Sequence, residues 1–181
     1  MEQTLENFSI PTSMIEFLQW DPVDGFKYEW NDGKVVQFGR MNRRHLRLIQ
    51  VLMDVFDQTD AYKNGGILVT SQDVMLDEAQ LRRPDFAFFN KTQIDNSSEI
   101  EPIPEFTIEV ISTNDQINPV KAKVREYFAH GVKVVWLIYP EEKLVEVYTA
   151  YKQVKICSDN DICSADPVLS DFKIEAHKLF E

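Results

Sequence analysis

Hydrophobic residues recur at helical spacing in three stretches of the chain. Residues 13–20 form a short amphipathic pattern after Pro11, a residue that is common at helix starts. A longer pattern from about 42 to 57 predicts a helix with one broad buried face. A third pattern covers 119–130 and ends before Gly131, a typical helix stop. We therefore expect one short and two longer helices.

Extended segments lie between the first two helices and after the second. The sequence KYEWNDGKVVQF predicts a hairpin, because Asn31, Asp32 and Gly33 tolerate the positive φ of a tight turn. Further on, ILVTSQDVML predicts extended structure interrupted near Ser71. RRPDFAFF predicts a strand in which Pro84 suits only the first residue or an edge. No helical or strand period is found in 90–103, which predicts a polar loop.

The sequence of the C-terminal half predicts strands before and after the third helix. FTIEVI and VKVVWLIYP are apolar enough for central strands, LVEVYT alternates, and QVKIC is typical of an edge strand. The helix between the first two of these predicts a crossover between buried neighbours. We therefore expect an α/β protein with a mixed β-sheet flanked by helices, as a single domain over 1–181 with a helical segment at 1–25 packed on it.

Charge changes this picture at the surface. The 181 residues include 30 acidic and 19 basic side chains, a net charge of -11, which opposes binding of a polyanion through the net field. A nucleic-acid function therefore needs a local basic patch, although arginines on a helix are more often a solvated face. The candidates are Arg40, Arg43, Arg44, Arg47, Arg82 and Arg83.

Composition and the start of the chain predict a soluble, cytoplasmic protein without a membrane partner. No stretch approaches the roughly 18 uninterrupted apolar residues of a membrane span, and no basic segment followed by an apolar run opens the sequence. Cys157 and Cys163 lack metal-type spacing, so we expect them to be reduced and structural, with a disulfide as the alternative.

One charged residue breaks an apolar strand. Glu109 lies inside FTIEVI, where an unpaired carboxylate costs several kcal/mol, and Asp85 at the head of a strand is the best candidate for its neighbour. Two carboxylates forced together share a proton or bind a divalent cation such as Mg²⁺ or Mn²⁺. The alternative is an acid that faces solvent and a Pro-Asp pair that starts a turn.

Five stretches and the chain's ending give these residues a context. They are IEFLQW with KYEWNDGKVV, MNRRHLRLI, RRPDFAFF, PEFTIEVIST, KVREYFAHGVKVVWLIYPEEKLVEVY, and the closing DPVLSDFKIEAHKLFE. In this order and spacing the chain resembles, over nearly its whole length, the Uma-two family of restriction-endonuclease-like proteins. This family is a branch of the PD-(D/E)xK nuclease superfamily. The resemblance implies a restriction-endonuclease-like fold.

The resemblance also implies a set of site residues. Asp85 would be the superfamily's aspartate and Glu109 its second acid, with the backbone carbonyl of Val110 as a third metal ligand. The superfamily's usual lysine position holds Ile111 here, and the family is similar in taking its lysine from the following helix, which implies Lys123. Asp85, Glu109 and Lys123 would be catalytic, with Mg²⁺ or Mn²⁺ as the cofactor.

Several positions stay open. Helical geometry puts Lys121 and Lys123 each about 80° from the apolar stripe, so periodicity does not choose between them, whereas the KxxxY match favours Lys123. Glu29 matches a family glutamate but also suits an exposed strand, and His45 suits the edge of the core as well as an auxiliary role. Residues 112–114 replace the family's common Ser-Pro, which leaves the loop shape at the site undetermined.

These features favour a Mg²⁺-dependent endonuclease that acts on nucleic acid, DNA more readily than RNA, as a homodimer. The alternative is a weakly active or inactive nuclease-like dimer that serves as a binding or regulatory module, which the acidic charge would suit. A third alternative is a metal-dependent phosphodiesterase for a small nucleotide, which needs no basic track.

Overall fold

The computed structural model describes residues 10–38, 43–96, 101–112 and 117–181. The helices in these ranges are α1 (Met14–Leu18), α2 (Arg43–Phe56), α3 (Asp60–Lys63), α4 (Lys91–Asp95) and α5 (Ile117–Ala129), with a closing 3₁₀ helix at Ala176–Leu179. The strands are β1 (Lys27–Asn31), β2 (Lys34–Phe38), β3 (Ile67–Thr70), β4 (Val74–Asp77), β5 (Gln80–Arg82), β6 (Phe86–Phe89), β7 (Phe106–Val110), β8 (Val134–Tyr139), β9 (Leu144–Ala150), β10 (Gln153–Ser158), β11 (Ile162–Ala165) and β12 (Leu169–Glu175). Within the described ranges, no helix is both long and apolar enough to cross a membrane.

The largest sheet has six strands in the order β10-β9-β8-β7-β6-β3. Strands β7 and β8 are parallel and are joined through α5, while the other neighbours are antiparallel. The mixed sheet, the crossover, the central position of β7 and the edge position of β10 are therefore confirmed. All five residues of β7 are buried, because helices or strands cover both faces of the sheet.

The two faces of this sheet have different partners. On one face, α2 and the β11–β12 hairpin pack onto a cluster of rings from Phe106, Trp136 and Phe172, whose centroids lie 5.3 to 5.5 Å apart. On the other face, Leu137 of β8 packs with Val124 of α5. Side chains alternate between the faces along each strand, so the odd-numbered positions of β7 point towards α5.

A second sheet has four strands in the order β2-β1-β5-β4. The predicted hairpin forms β1 and β2, and Asp32 and Gly33 in its turn have φ values of 46° and 78°. Helix α1 packs Phe17 against Trp30 of β1, with ring centroids 5.8 Å apart. The amphipathic pattern near the start of the chain therefore becomes a helix that covers this smaller sheet.

Two local predictions differ from the structure, and one hairpin was not predicted. RRPDFAFF is not one strand, because Arg82 ends β5 of the second sheet and Phe86–Phe89 form β6 of the six-stranded sheet. Pro84, which cannot donate a hydrogen bond, lies where the chain crosses between the two sheets. The predicted loop at 90–103 contains α4, whose start is fixed by a capping box between Asn90 and Gln93. The β11–β12 hairpin was not predicted, because β11 has only four residues and both strands are only partly apolar.

The hairpin's contribution to the core is testable through Phe172, which is completely buried. We expect Phe172→Ala to lower the free energy of unfolding by about 3 to 5 kcal/mol, since a large aromatic ring is lost from a packed interior. Urea unfolding measures this change, with Val154→Ala at a half-exposed position of β10 as the control. A single transition in the wild type would agree with the predicted single domain. A loss no larger than that of the control would contradict the core role of the hairpin.

Candidate active site

Asp85 and Glu109 come from neighbouring strands of the six-stranded sheet. Strands β6 and β7 pair with Phe86 opposite Ile108, so this antiparallel register brings Asp85, just before β6, beside Glu109. Asp85 is 6% exposed and Glu109 is 3% exposed. The anomalous charge of the apolar strand therefore has a second buried carboxylate as its neighbour, as its sequence position suggested.

Helix α5 contributes a lysine and a tyrosine above Glu109. Lys123 and Tyr127 are four residues apart, which places them on one face of the helix. The Lys123 Nζ lies 3.2 Å from Glu109 Oε1, and the Tyr127 hydroxyl donates to the same oxygen at 2.6 Å. Lys123 is buried, and its Nζ also donates to Glu29 Oε1 at 2.7 Å.

Strand β1 contributes Glu29 and Lys27 from the smaller sheet. Because side chains alternate along a strand, residues two apart share a face, and both point into the cluster. Lys27 Nζ lies 3.0 Å from Asp85 Oδ1 and 3.5 Å from Glu109 Oε2. Sequence reasoning missed Lys27, because its position two residues before Glu29 indicates only that the two side chains share a face of β1.

Further donors hold the second oxygen of Asp85. The backbone N–H of Val110 donates to Asp85 Oδ2 at 2.7 Å, and His45 Nε2 of α2 lies 3.8 Å from the same oxygen. The structure thus places Val110 and His45 next to Asp85. The metal-ligand role of the Val110 carbonyl and the auxiliary role of His45 stay predictions.

The environment moves the pKa values of the two carboxyls apart. Burial alone would raise the pKa of Asp85, but the Lys27 ammonium, the nearby His45 side chain and a hydrogen bond from the Val110 N–H hold it well below its usual range. Burial raises the pKa of Glu109, with the charges of Asp85 and Glu29 adding to the effect against the opposing lysines. Pairs of acids separated in this way are typical of catalytic sites.

The predicted nucleic-acid role of Arg82 is not compatible with its position. Arg82 is 2% exposed. Its Nε donates a hydrogen bond to Glu126 Oε2 at 3.0 Å, and its Nη2 donates a second one to the same oxygen. Its Nη1 lies 3.6 Å from Glu29 Oε2. The strand β5 points this guanidinium inward, between β1 and α5, so it cannot reach a phosphate. We therefore assign it to the support of Glu29.

The other candidate arginines have different surroundings. Arg83 forms a two-point ion pair with Asp73, at 2.5 and 3.0 Å, with one third of its side chain exposed. Arg47 is exposed and donates to the Glu181 carbonyl at 3.3 Å. Arg40 and the side chains of Arg43 and Arg44 lie outside the described residues. The nucleic-acid role of these arginines stays a prediction.

Lys121 lies away from the carboxylate pair. Its Nζ donates to Glu146 Oε2 at 2.6 Å and is bonded to the Tyr148 hydroxyl, on the part of α5 that faces β9. Of the two lysines that helical periodicity left equivalent, only Lys123 contacts Glu109 in the described part of the chain. Lys121 is therefore a natural control for experiments on Lys123.

The donor set suits a hard divalent cation. Over the described ranges, no three Asp, Glu, His or Cys side chains converge as metal ligands. Mg²⁺ needs fewer, since it is commonly held by one or two carboxylates with water completing its shell. The gap between Asp85 and Glu109 already accepts a positive charge, the Lys27 ammonium. These residues therefore fit the cation that the resemblance implies.

Together, the mixed sheet and the buried carboxylate pair define a restriction-endonuclease-like α/β protein. The fold is similar to the crystal structure of a protein from Anabaena variabilis ATCC 29413 described as "a putative nuclease belonging to DUF820". That chain is 20% identical, with a TM-score of 0.81 over 94% of this chain and 98% of that chain. The family model Uma2, described as "Putative restriction endonuclease", matches residues 14–177, so the chain belongs to the Uma2 family. Among curated proteins, none matches the chain.

The structural role of Arg82 can be separated from that of its neighbour. We expect Arg82→Met to lower the free energy of unfolding by about 3 to 5 kcal/mol, because Glu126 and Glu29 lose a buried counter-charge. Arg83→Met, which removes a partly exposed ion pair, should cost about 1 kcal/mol or less. Urea titrations of both variants measure the difference. Equal losses would contradict the supporting role of Arg82.

Proposed function

We propose that this protein is a metal-dependent nuclease that hydrolyses phosphodiester bonds of nucleic acid, DNA more readily than RNA. One observation carries the proposal, the convergence of Asp85, Glu109 and Lys123 from three separate elements in one buried cluster. Membership of the Uma2 family, whose description is "Putative restriction endonuclease", supports it, as does the fold shared with a protein described as "a putative nuclease".

The proposed roles follow from the contacts. Asp85, Glu109 and the Val110 carbonyl would hold one or two Mg²⁺ or Mn²⁺ ions. When bound, such an ion polarises a phosphodiester oxygen and makes water a better nucleophile. Lys123 would stabilise the negative charge that develops on the phosphate oxygens. Its hydrogen bond to Glu29 holds the ammonium in position for that role. Tyr127 orients Glu109 through its hydroxyl.

Nucleic-acid binding needs positive charge at the mouth of this site, against a net charge of -11. With Arg82 buried, the proposed phosphate contacts come from Arg43 and Arg44 of α2 and from Arg40, which precedes them in the sequence, with Arg83 as a further candidate. His45 follows Arg44 on α2 and lies 3.8 Å from Asp85, so the start of this helix is close to the carboxylates. The homodimer stays a prediction, which light scattering can measure.

The catalytic assignment predicts a sharp difference between two lysines of one helix. Asp85→Asn, Glu109→Gln and Lys123→Met should each lower Mg²⁺-dependent cleavage of plasmid DNA at least about a hundredfold, since the first two each remove a proposed metal ligand and the third removes the positive charge that stabilises the reacting phosphate. Lys121→Met should retain wild-type cleavage. Circular dichroism checks that each variant folds. Unchanged cleavage by the Asp85 or Glu109 variant would remove that residue from the mechanism.

A second candidate function, a nuclease-like binding module, is favoured by the presence of Lys27 between the carboxylates, which already neutralises much of their charge. Calorimetric titration with Mn²⁺ distinguishes the two. A nuclease should bind Mn²⁺ and lose this binding in Asp85→Asn, because a required ligand is removed. Absence of binding by the wild type, together with no cleavage of plasmid, single-stranded DNA, RNA or nucleotide substrates, would favour the module.

A further inference from the structure

The carboxylate pair is arranged around the side chain of Lys27. Each carboxylate has one oxygen held by other donors of the protein. Asp85 Oδ2 accepts from the Val110 N–H, and Glu109 Oε1 accepts from Tyr127 and Lys123. The remaining oxygens, Asp85 Oδ1 and Glu109 Oε2, face the Lys27 ammonium at 3.0 and 3.5 Å. A metal ion that binds both carboxylates across this gap therefore meets the ammonium at the same two oxygens.

The charges of the cluster also indicate that a divalent cation and the Lys27 ammonium compete for one position. Its acidic side chains are Glu29, Asp85, Glu109 and Glu126, and its basic side chains are Lys27, Lys123 and Arg82. With all of them ionised, four negative and three positive charges leave the cluster at -1. Exchange of the single charge of Lys27 for one divalent cation would bring the cluster to zero. Addition of the cation beside a retained Lys27 would leave an excess positive charge in a buried site.

The two lysines of the site differ in how firmly the protein holds their ammonium groups. Lys123 has 5% of its side chain exposed and donates hydrogen bonds to Glu29 and Glu109. Its Nζ lies 4.0 Å from the centroid of the Phe38 ring, whereas the Nζ of Lys27 lies 5.4 Å from the same centroid. Lys27 is the first residue of β1 and has 16% of its side chain exposed. Its flexible stem can carry the ammonium into solvent by rotation of side-chain bonds, without movement of the strand.

We propose that Lys27 is an internal counter-ion that occupies the position of a divalent cation and is displaced when the metal binds. This inference rests on the proposed metal-dependent function and adds a residue that gates it. In the metal-free protein Lys27 offsets part of the negative charge of the two carboxylates and so stabilises the folded cluster. Metal binding requires the Lys27 ammonium to leave the carboxylates. The apparent affinity for the ion is therefore the intrinsic affinity multiplied by the fraction of molecules in which the ammonium has already left.

Calorimetric titration with Mn²⁺ tests the competition. We expect Lys27→Met to bind Mn²⁺ about tenfold more tightly than the wild type. This change corresponds to a wild type in which Lys27 has left the carboxylates in roughly one molecule in ten. Methionine keeps the length of the side chain without its charge. Lys121→Met removes the same charge from a lysine bonded to Glu146 and should leave the Mn²⁺ affinity unchanged. Equal tightening in both variants would contradict a specific competition by Lys27.

A measurement on the wild type covers the case in which Lys27→Met does not fold. Acetylation by a lysine-directed reagent, mapped by mass spectrometry, should increase at Lys27 on addition of Mn²⁺ and stay constant at Lys121. If the wild type binds Mn²⁺ but Lys27 gains neither reactivity nor an affinity effect, this inference fails and the metal-dependent function stands. If neither the wild type nor Lys27→Met binds Mn²⁺, the proposed function fails and the inference fails with it.

Discussion

Burial of Glu109 in a strand that is covered on both faces is the constraint around which the site is built. A lone carboxylate in such a place would lose its proton only at high cost, and a second carboxylate beside it raises that cost further. The protein responds with lysines from two different elements, a tyrosine hydroxyl and a backbone N–H. The contacts that compensate this one pair of charges thus fix the positions of strand β1, strand β7 and helix α5 relative to one another.

The ionic cluster is better explained by function than by stability. Buried ion pairs recover little more than their desolvation cost, so apolar side chains of similar size would stabilise the same core at least as well. Groups with strongly shifted pKa values in such a cluster are instead typical of catalytic sites. Asp85 with its lowered pKa and Glu109 with its raised pKa fit this pattern. The supporting pair of Arg82 and Glu126 adds no chemistry, but it keeps Glu29 directed at Lys123.

Sequence patterns predicted a mixed sheet with a crossover between buried neighbours, because its central strands are continuously apolar and its crossover helix is amphipathic. The anomaly of Glu109 and the family resemblance identified Asp85 and Lys123 as its partners, and the structure brings these three together. Lys27 was not predicted, since its contacts depend on how the two sheets pack, which local periodicity does not encode. Arg82 was misassigned for a related reason, because a three-residue strand gives no sign of which way its side chains point.

The passage of the chain from β5 to β6 has a further consequence. Three residues, Arg83, Pro84 and Asp85, link the last residue of β5 in the smaller sheet to the first residue of β6 in the larger sheet. Lys27 and Glu29 belong to the smaller sheet, whereas Glu109 belongs to the larger one. The electrostatic cluster is therefore also the joint between two layers of the fold, and a small rotation of one sheet against the other would separate acids from their bases. Evolution of a new substrate preference through the smaller sheet would have to preserve this joint, while loops at the far edge of the larger sheet can change without touching it.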